Sequence, residues 1–148
     1  MAIPQLDSSG LLPTGIHDCV LDDLRARFGS FQGSDARPRL MAKLETFVHE
    51  LRASGMVRAI IVNGSFVTNK EAPNDIDLLI VLPTGHDFRA DLTPTQYRVL
   101  DRRRVRRVYG LDVFVVEEDS VDYAALIRLF HRVRLQPHLV KGILRIEL

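Results

Sequence analysis

Two acidic residues stand at the start of an apolar run, at a spacing that could hold a metal ion. Asp75 and Asp77 open the run over 76–82, which predicts a strand. Side chains two residues apart in a strand share a face about 7 Å apart, so these carboxylates would repel without a compensating cation. Magnesium, together with nucleotide phosphates, is the usual cation at such a pair. The pair is therefore the first candidate site.

A third acid, Asp112, lies inside the apolar pattern of 111–116, which predicts a buried strand. Burying an Asp without a partner is costly. If this strand lies beside 76–82, Asp112 joins Asp75 and Asp77 around one or two metal ions. Such a centre lowers the pKa of an attacking hydroxyl and neutralises a leaving pyrophosphate. Asp112 would then be best placed to accept the hydroxyl proton.

A Gly-Ser turn precedes the acids. The strand predicted over 57–63 ends at Gly64-Ser65, where glycine lets the backbone approach an anion closely. Residues 66–70 could begin a helix whose free N–H groups face phosphates, with Lys70 adding a positive charge. The turn could instead be an ordinary strand exit, and Lys70 simply solvated. It is not a Walker-type loop, because no Gly-Lys-Ser/Thr follows at the required spacing.

These residues together resemble a known superfamily. Gly64-Ser65, nine intervening residues, Asp75-x-Asp77 and the later Asp112 are similar to the pattern of polymerase-beta-type nucleotidyltransferases. The chain also resembles a group of small stand-alone bacterial nucleotidyltransferase-like proteins of the toxin–antitoxin and phage-defence type. That second likeness lies in residues 12–17, 64–70 and 141–145.

The resemblance implies transfer of a nucleoside monophosphate from a nucleoside triphosphate, ATP among them, to a hydroxyl. It implies two Mg²⁺ ions, with Mn²⁺ as a substitute, and an acceptor that is RNA (transfer RNA included), a protein or a small molecule. By position, Asp75, Asp77 and Asp112 are catalytic and metal-binding, and Gly64 and Ser65 hold the triphosphate. The alternative is a non-catalytic, antitoxin-like partner-binding module or a nucleotide sensor.

Two basic segments could serve the same site. One helix is predicted from Thr93-Pro94 to about Val108, with Tyr97 and Val108 among its core-facing residues. It carries six arginines: Arg98, Arg102, Arg103, Arg104, Arg106 and Arg107. They could contact RNA or an acidic protein partner, or form a solvated face. Near the end of the chain, Lys141 or Arg132 reaches the triphosphate if the last strand joins the sheet beside the acids; otherwise they are surface charges at a loop.

Length and composition indicate one domain. The chain has 148 residues, 46% hydrophobic and 26% charged, with a net charge of +1. We expect a single domain over 1–148 with an irregular arm at 1–14. The single cysteine, the lack of a leader and the lack of an apolar stretch of spanning length favour a cytoplasmic protein with no membrane partner.

The predicted architecture is α/β (α+β): the minimal nucleotidyltransferase fold, a short mixed sheet flanked by helices largely on one side. Helices are expected over 17–28, from about 40 to 54, and after Asp119 or Ser120. Cys19 would face the core from the first of these. The alternation of 142–148 predicts a strand buried on one face.

Overall fold

A computed structural model describes residues 3–148, in which five strands form one mixed sheet. The strands are β1 (Ile16–Asp18), β2 (Ala59–Asn63), β3 (Asp77–Leu82), β4 (Asp112–Glu117) and β5 (Ile143–Glu147). The helices are α1 (Leu21–Phe28), α2 (Ala36–Ser54), α3 (Pro94–Leu100), α4 (Arg102–Tyr109) and α5 (Val121–Phe130). None of these helices is both long and apolar enough to cross a bilayer.

The sheet order is β1-β5-β2-β3-β4. The two outer pairs, β1 with β5 and β3 with β4, are parallel, and both pairs made by β2 are antiparallel. β2 lies at the centre, and all five of its residues are buried. The predicted α+β fold with a short mixed sheet is therefore confirmed.

Alternation along the central strands divides the core in two. Ile60 and Leu78 belong to the larger core, to which α1, α2, α3 and α4 contribute their apolar faces. Ile61 and Leu79 belong to the smaller core, which α5 covers. Helices thus lie largely on one side of the sheet, as predicted.

The start of the predicted first helix is wrong. Residues Ile16–Asp18 form β1, and the helix begins only at Leu21. The reason is a long-range pairing with β5, in which Ile16 lies opposite Ile143, and local periodicity does not reveal it. Cys19 is buried, as predicted, but it lies between β1 and α1. Residues 3–14 contain no helix or strand, and the first two residues of the predicted arm lie outside the described residues.

The single helix predicted over 94–108 is wrong, because Asp101 divides it into α3 and α4. Asp101 has extended backbone angles, and its side chain accepts a hydrogen bond from the Arg104 N–H. Val105 is buried, whereas Tyr97 in α3 and Val108 in α4 are 62% and 46% exposed. The prediction that Tyr97 and Val108 face the core is therefore wrong.

Two further features, the start of α2 and the burial of β5, differ from the sequence prediction. α2 ends at Ser54 before a left-handed Gly55, as expected, but it begins at Ala36, inside the predicted loop. β5 is buried on both faces at Ile143, because α5 covers the face that was expected to meet solvent.

Candidate functional site

Strand register brings polar side chains together at one end of the sheet. Asn63 lies opposite Asp77 in the β2–β3 pair, and Asp77 lies opposite Asp112 in the β3–β4 pair. The three residues therefore form a row across three neighbouring strands. β3 begins at Asp77, so the prediction that Asp75 belongs to the strand is wrong, and Asp75 lies just before it.

The three carboxylates form one electrostatic cluster. Burial raises the pKa of Asp77, and the negative charges of Asp75 and Asp112 raise it further. Lys141 and Arg106 oppose this shift without cancelling it. The charges of the other two acids singled out from the sequence therefore act on Asp77.

Arginines of α4 contact two of the three acids. Arg106 Nη1 lies 3.1 Å from Asp75 Oδ2, and Arg102 Nη2 lies 3.7 Å from Asp112 Oδ1. No cation in residues 3–148 comes within ion-pair distance of Asp77. The basic helix predicted from the sequence therefore borders the acids.

The Gly-Ser turn packs directly against the central acid. Gly64 has φ +93°, a conformation that L side chains rarely adopt. A Cβ at this position would lie 3.0 Å from Asp77 Oδ2. Glycine is therefore required here both for its backbone angles and for the close approach to Asp77.

The helix predicted after the turn is absent from this segment. Residues Ser65–Val67 form a single 3₁₀ turn, and Thr68 is extended. The carbonyls of Phe66, Thr68 and Lys70 accept hydrogen bonds from the Arg37 guanidinium, which holds the segment in this non-helical path. No row of helical N–H groups is available there for phosphates.

Arg37 is a structural residue beside the site that sequence reasoning missed. Its guanidinium is fully buried and donates to four carbonyls, those of Phe28, Phe66, Thr68 and Lys70, at 2.6–3.1 Å. Arg37 thereby fixes the loop that follows the Gly-Ser turn. A signal was available, since Arg37 continues the apolar stripe of α2 one turn ahead of Leu40 and Met41.

The structure brings Lys141 close to the acids but leaves Lys70 apart from them. Lys141 is half-buried just before β5, and burial lowers its pKa against the opposing charge of Asp77. Lys70 is exposed, and none of the described carboxylates lies within ion-pair distance of it. β5 joins the sheet beside β2, which is the condition under which Lys141 was expected to approach the site.

A cleft of about 550 Å³ opens on the Asp77 side of the cluster. Asn63, Asp77 and Asp112 line its inner end. Its remaining walls combine basic and apolar side chains, namely Arg132, Arg134, Lys141, Phe114, Leu129, Phe130, Val133, Leu135 and Pro137. The cleft thus offers cations and an apolar surface next to the acids.

A second groove of about 700 Å³ lies next to Asp75. It is lined by Asp75 and Asp112 and by four arginines of α4: Arg102, Arg103, Arg106 and Arg107. Asp112 lines both the cleft and this groove, so it stands between them.

The donor chemistry of the row suits a hard divalent cation. Besides the carboxylates, the Oδ1 of Asn63 is buried and accepts no hydrogen bond. Carboxylate and amide oxygens are the ligands that Mg²⁺ prefers. Among residues 3–148, however, no three Asp, Glu, His or Cys side chains converge as a metal site. Two of the acids are engaged by arginines instead.

Comparison with known proteins gives a family but no activity. Searches of curated proteins and of solved structures return no match to the chain. The model of a family described as "Family of unknown function (DUF6932)" matches residues 4–147. That match spans nearly the whole sequence, and the chain therefore belongs to this family.

Proposed function

We propose that the protein is a Mg²⁺-dependent nucleotidyltransferase, which moves a nucleoside monophosphate from a nucleoside triphosphate to a hydroxyl. The single observation that supports this most is the row of Asn63, Asp77 and Asp112 in register, with Asp75 beside it. The Gly64 backbone pressed against Asp77 adds to it. Like charges held this close lower the stability of the fold, and such arrangements are concentrated at functional sites.

The cleft on the Asp77 side suits the nucleotide. Lys141 and Arg132 supply positive charge for phosphates, while Phe114 and Leu135 supply an apolar wall for a base. Gly64-Ser65 lets the backbone approach the phosphates closely.

The proposed reaction needs only the acceptor hydroxyl and the nucleoside triphosphate as reactants. An acceptor hydroxyl oxygen bonds to the α-phosphorus, and the bond from that phosphorus to the bridging oxygen breaks. Pyrophosphate leaves with the electron pair, and Asp112 accepts the hydroxyl proton. Asp112 suits this role because it lines both the cleft and the second groove.

Asp75, Asp77 and Asp112 would hold Mg²⁺, with Mn²⁺ as a substitute and Asn63 as an added oxygen ligand. The ions would supply charge neutralisation at the leaving pyrophosphate and a lowered pKa of the attacking hydroxyl. The acceptor is RNA (transfer RNA included), a protein or a small molecule. We also propose the cytoplasm as the compartment, since Cys19 is a free thiol.

The test uses purified protein, Mg²⁺ and each of the four α-labelled nucleoside triphosphates in turn. Each reaction runs with and without total cellular RNA and a cell extract, followed by a denaturing gel. We expect label on RNA or protein that disappears in Asp75→Ala and Asp77→Asn proteins whose circular dichroism is unchanged. Label that persists in both variants would contradict the proposal. So would folded wild-type protein that labels neither RNA nor protein and releases no pyrophosphate from any triphosphate in the presence of the extract.

A second candidate is a non-catalytic binding module, for instance an antitoxin-like subunit or a nucleotide sensor. The observation that favours it is that Arg102 and Arg106 already engage Asp112 and Asp75. For an antitoxin-like module, Asp77→Asn leaves partner binding intact, whereas charge reversal at Arg102 and Arg106 abolishes it. For a sensor, a triphosphate raises the melting temperature without releasing pyrophosphate.

A further inference from the structure

We infer that the groove lined by α4 binds a single-stranded polynucleotide and presents its hydroxyl to the acids as the acceptor. This inference rests on the proposed function for the role of the hydroxyl, but the binding surface itself is argued from the groove. The groove's wall consists of Arg102, Arg103, Arg106 and Arg107, with Asp75 and Asp112 at its inner end.

The charge of this surface exceeds what the protein itself neutralises. Arg102 and Arg106 have acid partners, whereas Arg103 and Arg107 are exposed and form no ion pair with any described residue. On a helix, 103 and 107 lie one turn apart on the same face. Two uncompensated guanidinium groups in a row fit the repeated phosphates of a nucleic acid strand.

An aromatic surface adjoins the arginines. Arg102 stacks on the Phe114 ring at 4.6 Å from its centroid, and it also lines a neighbouring groove that contains Phe88. Phe88 is 63% exposed, and its ring contacts the His86 ring edge-to-face at 4.7 Å between centroids, so the two rings form an exposed aromatic surface for a base. The bases of a duplex are stacked inside the helix and cannot reach such a ring, and an acidic peptide has no bases. The combination of arginines and an exposed ring therefore favours a single strand.

The position of the groove relative to the cleft supports an acceptor role. The nucleotide-sized cleft and the arginine groove are separate cavities that share only Asp112 among their lining residues. A strand in the arginine groove would therefore approach Asp112 without entering the cleft.

The test measures binding without nucleoside triphosphate, so no transfer can occur. Fluorescence anisotropy reports the binding of labelled oligonucleotides of about a dozen nucleotides, a length typical of single-strand sites. The probes are single-stranded RNA, single-stranded DNA and duplex RNA, with polyglutamate as an acidic-peptide competitor. Preference for RNA or for DNA among the single strands identifies the source of the acceptor, and tight binding of either supports the surface.

The decisive variant is Arg103→Glu/Arg107→Glu, matched by Arg52→Glu/Arg128→Glu, which changes the net charge equally at exposed positions elsewhere. We expect the first to weaken single-strand binding at least about tenfold and to reduce the salt slope by about 0.7 per lost phosphate contact. The control should bind nearly as wild type. Phe88→Ala should weaken binding severalfold without changing the salt slope.

Equal effects of the two double variants would overturn the inference, because only net charge would then matter. Equal affinity for duplex RNA would overturn it as well, and so would competition by polyglutamate as strong as that by RNA. A protein that binds single strands through Arg103 and Arg107 but transfers no label would contradict the proposed function alone. Transfer of label without this binding would contradict only the inference that the arginine groove binds the acceptor strand.

Discussion

Arg37 places a buried positive charge among backbone carbonyls and two aromatic rings, with no carboxylate of the described residues paired to it. Burial lowers the pKa of its guanidinium, and its ring neighbours Phe28 and Phe66 lie 5.7 and 5.3 Å from the guanidinium carbon. A buried charge of this kind is tolerated because it satisfies several carbonyls at once. The loop after the Gly-Ser turn thus depends on one side chain from α2.

Replacing Arg37 with Met should destabilise the protein by at least about 3 kcal/mol, because several buried carbonyls lose their donor. Urea denaturation measures the loss, and limited proteolysis should show earlier cleavage in the segment after Gly64. Arg39→Met is the control, since this exposed arginine pairs only with Asp35 at 3.2 Å. Its cost should stay below about 1 kcal/mol. Equal costs at both positions would contradict the role given to Arg37.

The Asp77 carboxylate should lower the stability of the protein when no metal is bound. Asp77→Asn removes one of two like charges that face each other across β3 and β4, so we expect the free energy of unfolding to rise by up to about 1 kcal/mol without divalent metal. Thermal denaturation in EDTA measures this gain. Asp91→Asn, in an exposed loop, should leave stability unchanged. A loss of stability in Asp77→Asn would show that the carboxylate is structurally satisfied.

At the residue scale, the acids could be predicted from the sequence, but Arg37, which holds the neighbouring loop, was not. Two carboxylates at the start of an apolar run and a third in another strand can be read directly, and the register places Asp77 opposite Asp112 as expected. Arg37 was missed because charged residues near a helix start are normally solvated, and only its four carbonyl partners, far apart in sequence, explain its burial.

At the scale of elements, the break at Asp101 decides which arginines border the acids. As the cap of α4, Asp101 starts a new helix whose exposed face carries Arg102 and Arg106 toward Asp112 and Asp75. A continuous helix was the simpler reading, since Asp is tolerated within helices and the capping bond depends on local geometry. The sequence therefore predicted a basic helix but not the phase of its basic face.

Asp101→Ala should remove the cap and cost about 1 kcal/mol of stability. Thr93→Ala is a matched comparison, because Thr93 caps α3 in the same way by accepting from the Gln96 N–H at 3.2 Å. Chemical denaturation should show similar losses. Only Asp101→Ala should also displace the α4 arginines from the groove, which we expect to measure as a lower affinity of the groove for single strands. Equal affinity of the two variants for single strands would show that the cap at Asp101 does not position the groove.

Glu50 joins α2 to α4 and makes stability depend on pH. Burial raises the pKa of this carboxyl, but hydrogen bonds from Arg104, at 3.0 and 3.1 Å, and from the Tyr109 hydroxyl outweigh burial and lower it overall. A carboxyl with a lowered folded-state pKa stabilises the protein above its ordinary pKa. That contribution is lost as the pH falls through the lower, folded-state value.

Glu50→Gln should therefore cost about 1–2 kcal/mol at pH 7, where wild-type Glu50 is ionised. The difference from wild type should shrink as the pH falls below about 4, the ordinary range of Glu. Urea denaturation at several pH values measures this. Glu45→Gln, at an exposed pair with Arg25, is the control and should show a smaller difference at pH 7. A pH-independent cost for Glu50→Gln would contradict the ion pair.

At the scale of the whole molecule, the single thiol reports on global opening. Burial, aided by the charge of Asp23, raises the pKa of Cys19 to about 11. At pH 8 only about one folded molecule in a thousand then carries the thiolate, against about a quarter of unfolded chains. Alkylation by iodoacetamide should be at least about 100-fold slower in the folded protein than in urea, and should accelerate as the pH rises toward 11. Rapid alkylation of folded protein at pH 8 would contradict this burial.

The overall architecture was predicted better than its topology. Strands of the core were visible because buried runs such as Ile60–Val62 are apolar throughout, whereas β1 has only three residues and looks like the start of a helix. Pairing partners far apart in the chain leave no local pattern. The parallel β1–β5 pair therefore could not be predicted from the sequence, although it positions Lys141.

The place of β5 in the sheet bears on the order in which the protein is synthesised and assembled. β5 is the last strand in chain order, yet it lies between β1 and β2, and β1 has no other partner in the sheet. The strands β2, β3 and β4 all precede β5 in the chain and pair without it, but β1 must wait for β5. The acids can then be in place before Lys141 and the cleft wall arrive. A nascent chain would thus carry an incomplete site until β5 is inserted.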